Sequence, residues 1–246
     1  MHKTTSIGSA LFFAVFLVTS GLNAATEIEL QPANNDPDDI QSLQRGARNF
    51  MNYCSGCHSA KYVRFNTIGR DLEISEKQMI ENLMFNADKT FDTIQVTMPV
   101  EDSARWFGTS PPDLSLIARS RGVDYIYNFL KDFYLDPGSP TGVDNRVLAG
   151  TSMPHILWEL QGYQNAIFSV DEDGVQHLDR FEAVTAGTMS SDQYDGFVRD
   201  TVNFLAYISE PIRSTRRALG VKVLMFLVFF LVLATMLKKQ IWKDVT

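Results

Sequence analysis

The pattern of apolar and polar positions divides the chain into three parts. An apolar run lies near each end, and between them apolar residues recur mainly at helical spacing. The first run, Ile7 to Leu22, follows Lys3 and precedes Ala24-Ala25. That is the charge, apolar stretch and small-residue cleavage region of a secretory signal, assigned here to residues 1–25. An uncleaved anchor is the competing reading. The second run, Leu219 to Leu237, is interrupted only by Gly220, Lys222 and Thr235. As a helix it spans roughly 28 Å, close to the ~30 Å hydrocarbon core of a bilayer. Arg213, Arg216 and Arg217 precede it and Lys238, Lys239 and Lys243 follow it, so the positive-inside rule does not orient it. The export signal does: it puts the body outside and residues 238–246 in the cytoplasm.

Between the runs, residues 26–37 read as an irregular lead-in. Asp38-Asp39 then open a helix whose apolar positions are Ile40, Leu43, Ala47, Phe50 and Cys54. Ser75-Glu76-Lys77-Gln78 has the form of a capping box, followed by Met79, Ile80, Leu83 and Met84. Ile94 to Thr97 favour a strand, broken by Pro99. Pro111-Pro112 fix a turn, after which Asp113 or Ser115 is expected to cap a helix carrying Leu114, Ile117 and Ala118. A second helix is expected over Tyr125 to Tyr134, ended by Asp136-Pro137-Gly138-Ser139-Pro140. β-type residues flank the acidic turn Asp171-Glu172-Asp173-Gly174, the pattern of a small hairpin. The last helix of the body starts near Ser190, presents Tyr194, Phe197, Val198, Val202, Leu205 and Ile208, and stops at Pro211. The fold class is mainly α, with one C-terminal transmembrane helix at about 219–237.

The chemistry is concentrated in Cys54-Ser55-Gly56-Cys57-His58, a C-x-x-C-H run that is the attachment signature of a c-type haem. Two thiols at this spacing can form thioethers to one porphyrin, and the adjacent His58 can ligate its iron. A structural zinc site needs four ligands, but the chain has only these two cysteines, and His2, His155 and His177 form no second ligand pair. A thioredoxin-like dithiol would sit in a βαβ pattern, which is not found. A haem that only carries electrons needs a second axial ligand. The candidates are Met79, Met84, Met98, Met153 and Met189, with His155 as a backup. Met79 and Met84 lie in a helical apolar pattern, whereas Met98-Pro99 and Met153-Pro154 are loop methionines backed by a stiff residue.

Charge adds one constraint. Of the 246 residues, with net charge −7 overall, residues 27–210 hold 28 Asp and Glu against 14 Lys and Arg. An acidic exported body disfavours nucleic acid; its charge either steers a basic soluble partner or serves solubility alone.

Two resemblances follow from these residues. Gly46, Phe50 and the haem motif resemble the N-terminal helix of class I c-type cytochromes, in which a glycine permits close crossing by the C-terminal helix. The fold implied is a class I cytochrome c-like haem domain with insertions, covering residues 26–212, before an anchor and tail over 213–246. Arg45-Gly46, Cys54 to Ser59, Pro111-Pro112-Asp113-Leu114-Ser115 with Arg119, Arg121 and Asp124-Tyr125, Met153-Pro154, and the single C-terminal anchor together resemble the cytochrome c1 family, the haem subunits of ubiquinol–cytochrome c reductase (bc1) complexes. The resemblance implies one covalent haem c, with Cys54 and Cys57 attaching it and His58 and Met153 as iron ligands. It places Met153 rather than Met98 as ligand, because the ligand loop follows the Pro-Pro element. It also implies Arg121 and Tyr125 as partners of a haem propionate, with Arg119 the runner-up. This chain departs from mitochondrial-type members of the family at His155, where those have small or proline residues. The implied function is a single-electron relay from a Rieske iron–sulfur protein to a soluble c-type cytochrome, beside cytochrome b in a dimeric complex. The chain is then a redox subunit of an oxidoreductase in the bacterial inner membrane, its haem domain in the periplasm. The competing readings are another membrane-anchored c-type cytochrome, linked to an oxidase or free-standing, a haem peroxidase, and a non-redox anchored binding module.

Overall fold

The computed structural model describes residues 28–171 and 176–244; the signal assigned to residues 1–25 and most of the acidic turn lie outside them. The body is organised on two helices far apart in sequence. α1 (Ile40–Tyr53) starts at Asp39, whose carboxylate accepts from Ser42 N at 3.0 Å. α8 (Ser191–Ser209) starts at Ser190 with a complete capping box closed by Gln193. Each cap satisfies backbone donors that a helix start leaves free. Leu43, Ala47, Phe50, Val198, Val202 and Leu205 are all buried, so the two apolar faces meet as the sequence pattern requires.

They cross at Gly46. A Cβ there would lie 2.0 Å from Asp200 O and 2.7 Å from Phe204 Cβ, so only glycine allows this approach. Its intrinsic cost in a helix, about 1 kcal/mol, is offset by what the crossing gathers. Ser42 Oγ donates to Asp200 Oδ1 at 2.7 Å and Arg45 pairs with Asp200 Oδ2 at 2.5 Å. Asn49 Nδ2, buried, donates to Phe197 O and Thr201 Oγ1. Phe50 packs on Phe204 at 5.7 Å, and Tyr53 meets Phe197 edge-on at 5.4 Å.

The segments between complete the core. β1 (Ala60–Arg64) pairs irregularly with β2 (Thr93–Ile94), and α2 (Phe65–Asp71) and α3 (Glu76–Asn82) bury Ile68 and Met79 beneath them. The expected Ser75 capping box is formed. α4 (Val100–Phe107) was not expected from the pattern; Pro99 starts it instead of merely ending a strand, and only Ser103 of it is buried. α5 (Ile117–Ser120) is a single turn with no side-chain cap, so neither Asp113 nor Ser115 caps it. α6 (Val123–Lys131) ends before the expected Tyr134. Beyond it the chain becomes β3 (Phe133–Leu135), paired antiparallel with β4 (Val143–Asn145). The helix stops because competing partners take its last groups. Gln161 Nε2 donates to Lys131 O and Gln164 Nε2 to Phe133 O, and buried Asp132 pairs with Arg146 at 2.6 Å.

α7 (Trp158–Gln161) precedes the expected hairpin, β5 (Gln164–Val170) with β6 (Gln176–Ala183). The lead-in has no regular structure over 28–36 but is stitched down. Gln31 and Asn128 exchange two hydrogen bonds, Ala33 N donates to Asp124 Oδ1 at 2.7 Å, and Arg199 Nε donates to Ala33 O. α9 (Arg213–Ile241) is longer than the apolar run at both ends, because arginines and lysines are good helix formers that extend it into polar surroundings. None of its residues is buried, and it is long and apolar enough to cross a membrane.

Gly46→Ala is expected to cost about 3 kcal/mol through overpacking, lowering Tm by roughly 6–12 °C. Thermal loss of helical circular dichroism in detergent measures this; a Tm within about 2 °C of wild type would refute the close crossing.

Candidate functional site

The C-x-x-C-H motif forms the turn that leaves α1. Cys54 N still donates to Phe50 O, and Cys57 N and His58 N both fold back onto Cys54 O at 3.1 and 2.8 Å. This wraps the motif so that both cysteines stay close to a buried His58. Neither is disulfide-bonded. Burial pushes the Cys54 thiol up to about 12, helped by Cys57, and pushes Cys57 up too. A redox dithiol needs a stabilised thiolate, so the pair does not have the electrostatics of a thioredoxin-like site. Among the described residues no group of three or more His, Cys, Asp and Glu side chains is placed to hold a metal ion.

His58 is oriented by the Pro-Pro loop. Its Nδ1 lies 2.7 Å from Pro112 O, an atom that can only accept. Nδ1 therefore carries the proton, and Nε2 is left with its lone pair. Burial lowers the pKa of His58, opposed by the Pro112 hydrogen bond and by the charge of Asp113. A neutral imidazole with one fixed nitrogen is what metal ligation needs. Sequence reasoning missed how this loop is held: Asp113 and Ser115 bond the strand after His58, not a helix start. The signal was present, because a Pro-Pro pair offers carbonyls with no competing N–H.

Met153 is half-buried and packs against the same apolar core as Cys54, together with Leu114, Ile117 and Tyr125. Met79 and Met84 are buried core residues, as their helical pattern implied. The loop carrying Met153 is built by two side chains of β4. Asp144 Oδ1 accepts from Gly150 N and Thr151 N, and Asn145 Oδ1 accepts from Val147 N and Leu148 N. Asn145 is fully buried and also donates to Phe129 O at 2.7 Å. His155 turns to an aromatic group: its ring stacks on Phe133 at 5.0 Å and meets Tyr163 edge-on at 6.2 Å. Its Nε2 is buried with no hydrogen-bond partner among the described residues.

Arg121 and Arg119 are both exposed, and neither makes an ion pair among the described residues. They diverge nonetheless. The Arg121 guanidinium lies 5.4 Å over the Tyr125 ring, beside the core. Arg119 acts electrostatically on Glu210, whose carboxyl is held low chiefly by its hydrogen bond from Arg216. The Arg121–Tyr125 pair thus offers a phenol and a cation that has no ion-pair partner among the described residues to an anion.

Two free thiols at thioether spacing, a histidine with one nitrogen fixed, a loop methionine on the same core and an unpaired arginine fit a covalently held haem. Fold and site together define a mainly helical c-type cytochrome domain followed by one helix of membrane-spanning length. Residues 35–245 match the Cytochrome C1 family. The chain belongs to that family, whose members carry one covalent haem c. It is 43% identical over 240 residues to cytochrome c1 of Allochromatium vinosum, covering 96% of this chain and 98% of that protein. It is 39% identical over 236 residues to a protein of Nitrosomonas europaea named ammonia monooxygenase gamma subunit, covering 96% of each. Cytochrome c1 of Rhodospirillum rubrum is 30% identical over 84% of this chain and 83% of that protein. A solved chain of a hyperthermophilic respiratory Complex III gives a TM-score of 0.43 at 17% identity, over 96% of this chain and 92% of that one.

Burial lowers the His155 pKa from 6.5 to about 4. The unfolded chain therefore binds a proton that the folded chain refuses as pH falls from about 6.5 to 4, and stability drops by about 3 kcal/mol across that window. Denaturant titrations should show this slope in the wild type and a flatter one in His155→Phe.

Proposed function

We propose that this chain is the electron-transfer subunit of a ubiquinol–cytochrome c reductase complex, in which Cys54 and Cys57 would hold haem c and His58 and Met153 would ligate its iron. The observation that carries the site assignment is the His58 ring, fixed by Pro112 O beside two free thiols. When bound, haem c supplies a one-electron iron centre. The chain's own residues do the rest. The Pro112 carbonyl holds the Nδ1 proton and leaves the Nε2 lone pair free, with which His58 would ligate the iron. The apolar core around Cys54, Tyr125 and Met153 excludes water. The Arg121 guanidinium would balance, and the Tyr125 hydroxyl would hydrogen-bond, a haem propionate whose charge would be costly to bury alone; Arg119 is the runner-up, without the contact to Tyr125 that holds Arg121 beside the core.

Residues 1–25 are the export signal, 26–212 the haem domain and 213–246 the anchor and tail. The haem domain lies in the periplasm, with α9 crossing the inner membrane once and the C-terminus in the cytoplasm. The anchor keeps the site near its partners and raises their effective concentration. Those partners are cytochrome b and the Rieske iron–sulfur subunit, in a dimeric complex; Rieske is the donor. The acidic body supports a basic soluble c-type cytochrome as acceptor and argues against nucleic acid.

The relative named ammonia monooxygenase gamma subunit gives weight to a second reading, in which the same anchored cytochrome serves another oxidoreductase. Mild-detergent purification separates them. Co-purifying b-type haem, an iron–sulfur subunit and quinol–cytochrome c reductase activity support the first reading; a monooxygenase or oxidase partner without b-type haem overturns it.

Met153→Ala is expected to lower the reduction potential and to let carbon monoxide bind the reduced protein. Redox titration and the optical spectrum under carbon monoxide read both effects, and a wild-type potential in a closed site would remove Met153 as ligand.

A further inference from the structure

The residues that hold the Pro111-Pro112 loop form a connected set. β1 and β2 pair only at Ala60↔Ile94 and Arg64↔Thr93, with a register shift between. Such an irregularity leaves backbone donors without strand partners. Two of them, in consecutive residues, are taken by the Pro-Pro loop. Lys61 N donates to Asp113 Oδ2 at 2.9 Å, and Tyr62 N donates to Ser115 Oγ at 3.2 Å. The other Asp113 oxygen accepts from Ser115 N at 3.0 Å, which closes the turn on itself. Leu114 N donates to Ser59 O at 2.8 Å, one residue after His58. Ser115 is fully buried although it is polar, so its hydroxyl has no water to turn to. The loop whose carbonyl orients His58 is thereby tied to the backbone immediately following His58.

The geometry points to Asp113 and Ser115 as positioning residues for His58: by buckling the Pro-Pro loop to β1 they fix the Pro112 carbonyl on Nδ1 and so set how strongly the imidazole donates to iron. This rests on the haem reading above. A firmer Nδ1–H···O bond makes the ring a more basic ligand, which favours the oxidised metal. Loosening the buckle therefore raises the reduction potential. Ser115→Ala removes one tether with no change of charge. Asp113→Ala removes one tether, the bond that closes the turn and a carboxylate, whereas Asp113→Asn keeps the shape and one acceptor.

The test uses the full chain purified in detergent with its haem. The readouts are redox titration and solvent exchange of the His58 Nδ1 proton by magnetic resonance. Both alanine variants are expected to raise the potential and to speed exchange roughly tenfold, equivalent to a net hydrogen bond of about 1.4 kcal/mol. Asp113→Asn should shift less than Asp113→Ala. Asp179→Asn, on β6, removes a charge elsewhere and should change neither. Wild-type potential and exchange in both alanine variants would overturn the buckle. So would equal shifts in the two Asp113 variants with Ser115→Ala silent, since that is charge alone. If Asp113→Ala fails to accumulate, the charge-neutral Ser115→Ala decides. A wild-type chain with no covalent haem refutes the haem reading and this inference with it, whereas a haem-bearing chain with unmoved potentials refutes only the buckle.

Discussion

The structure depends on the crossing of α1 and α8 at Gly46. It brings together two helices more than a hundred residues apart, and an added methyl group would overlap Asp200 O. Close backbone approach lets Asp200 serve Ser42 and Arg45 at once and lets Asn49 reach the α8 backbone. Those bonds satisfy polar groups that burial would otherwise leave costly. Because α1 runs straight into the C-x-x-C-H turn, the crossing also fixes where the thiols stand. α8 is in turn where α6 docks, through Tyr194 OH on Leu130 O, so the Arg121–Tyr125 end of the site is referred to the same frame.

From that frame the site is assembled by loops whose rigidity comes from side chains rather than from regular structure. The Pro-Pro loop is held by Asp113 and Ser115, and the Met153 loop by Asp144 and Asn145. In each case a short polar side chain accepts from backbone N–H groups that no helix or strand would satisfy. If His58 and Met153 ligate the haem iron as proposed, loops held in this way would need little rearrangement when the charge on the iron changes.

Local signals were legible wherever one short segment carried the whole reason. The Ser75 capping box, the helix starts at Asp39 and Ser190, the face of α8, the membrane-length helix and the spacing of Cys54, Cys57 and His58 are of that kind. Gly46 was legible only through resemblance, since a lone glycine in a helix otherwise reads as a defect. The errors fell where distant groups competed for the backbone. Tyr125 to Tyr134 has the composition of one helix, yet Gln161, Gln164 and Arg146 capture its end and turn Phe133 into a strand. Asp113 and Ser115 look like helix caps because cap and loop-tether use the same chemistry; only the unpaired donors of β1 decide between them.

The sequence by itself determined the covalent chemistry, the two terminal apolar runs, the acidic body and the helices whose apolar periodicity is unbroken. Each of these is a property of neighbouring residues. Tertiary structure decided which nitrogen of His58 is free, that Arg121 lies on Tyr125, and that His155 belongs to an aromatic group around Phe133. Those outcomes depend on which atoms from remote segments arrive within hydrogen-bond or van der Waals distance, and burial then makes each such encounter decisive.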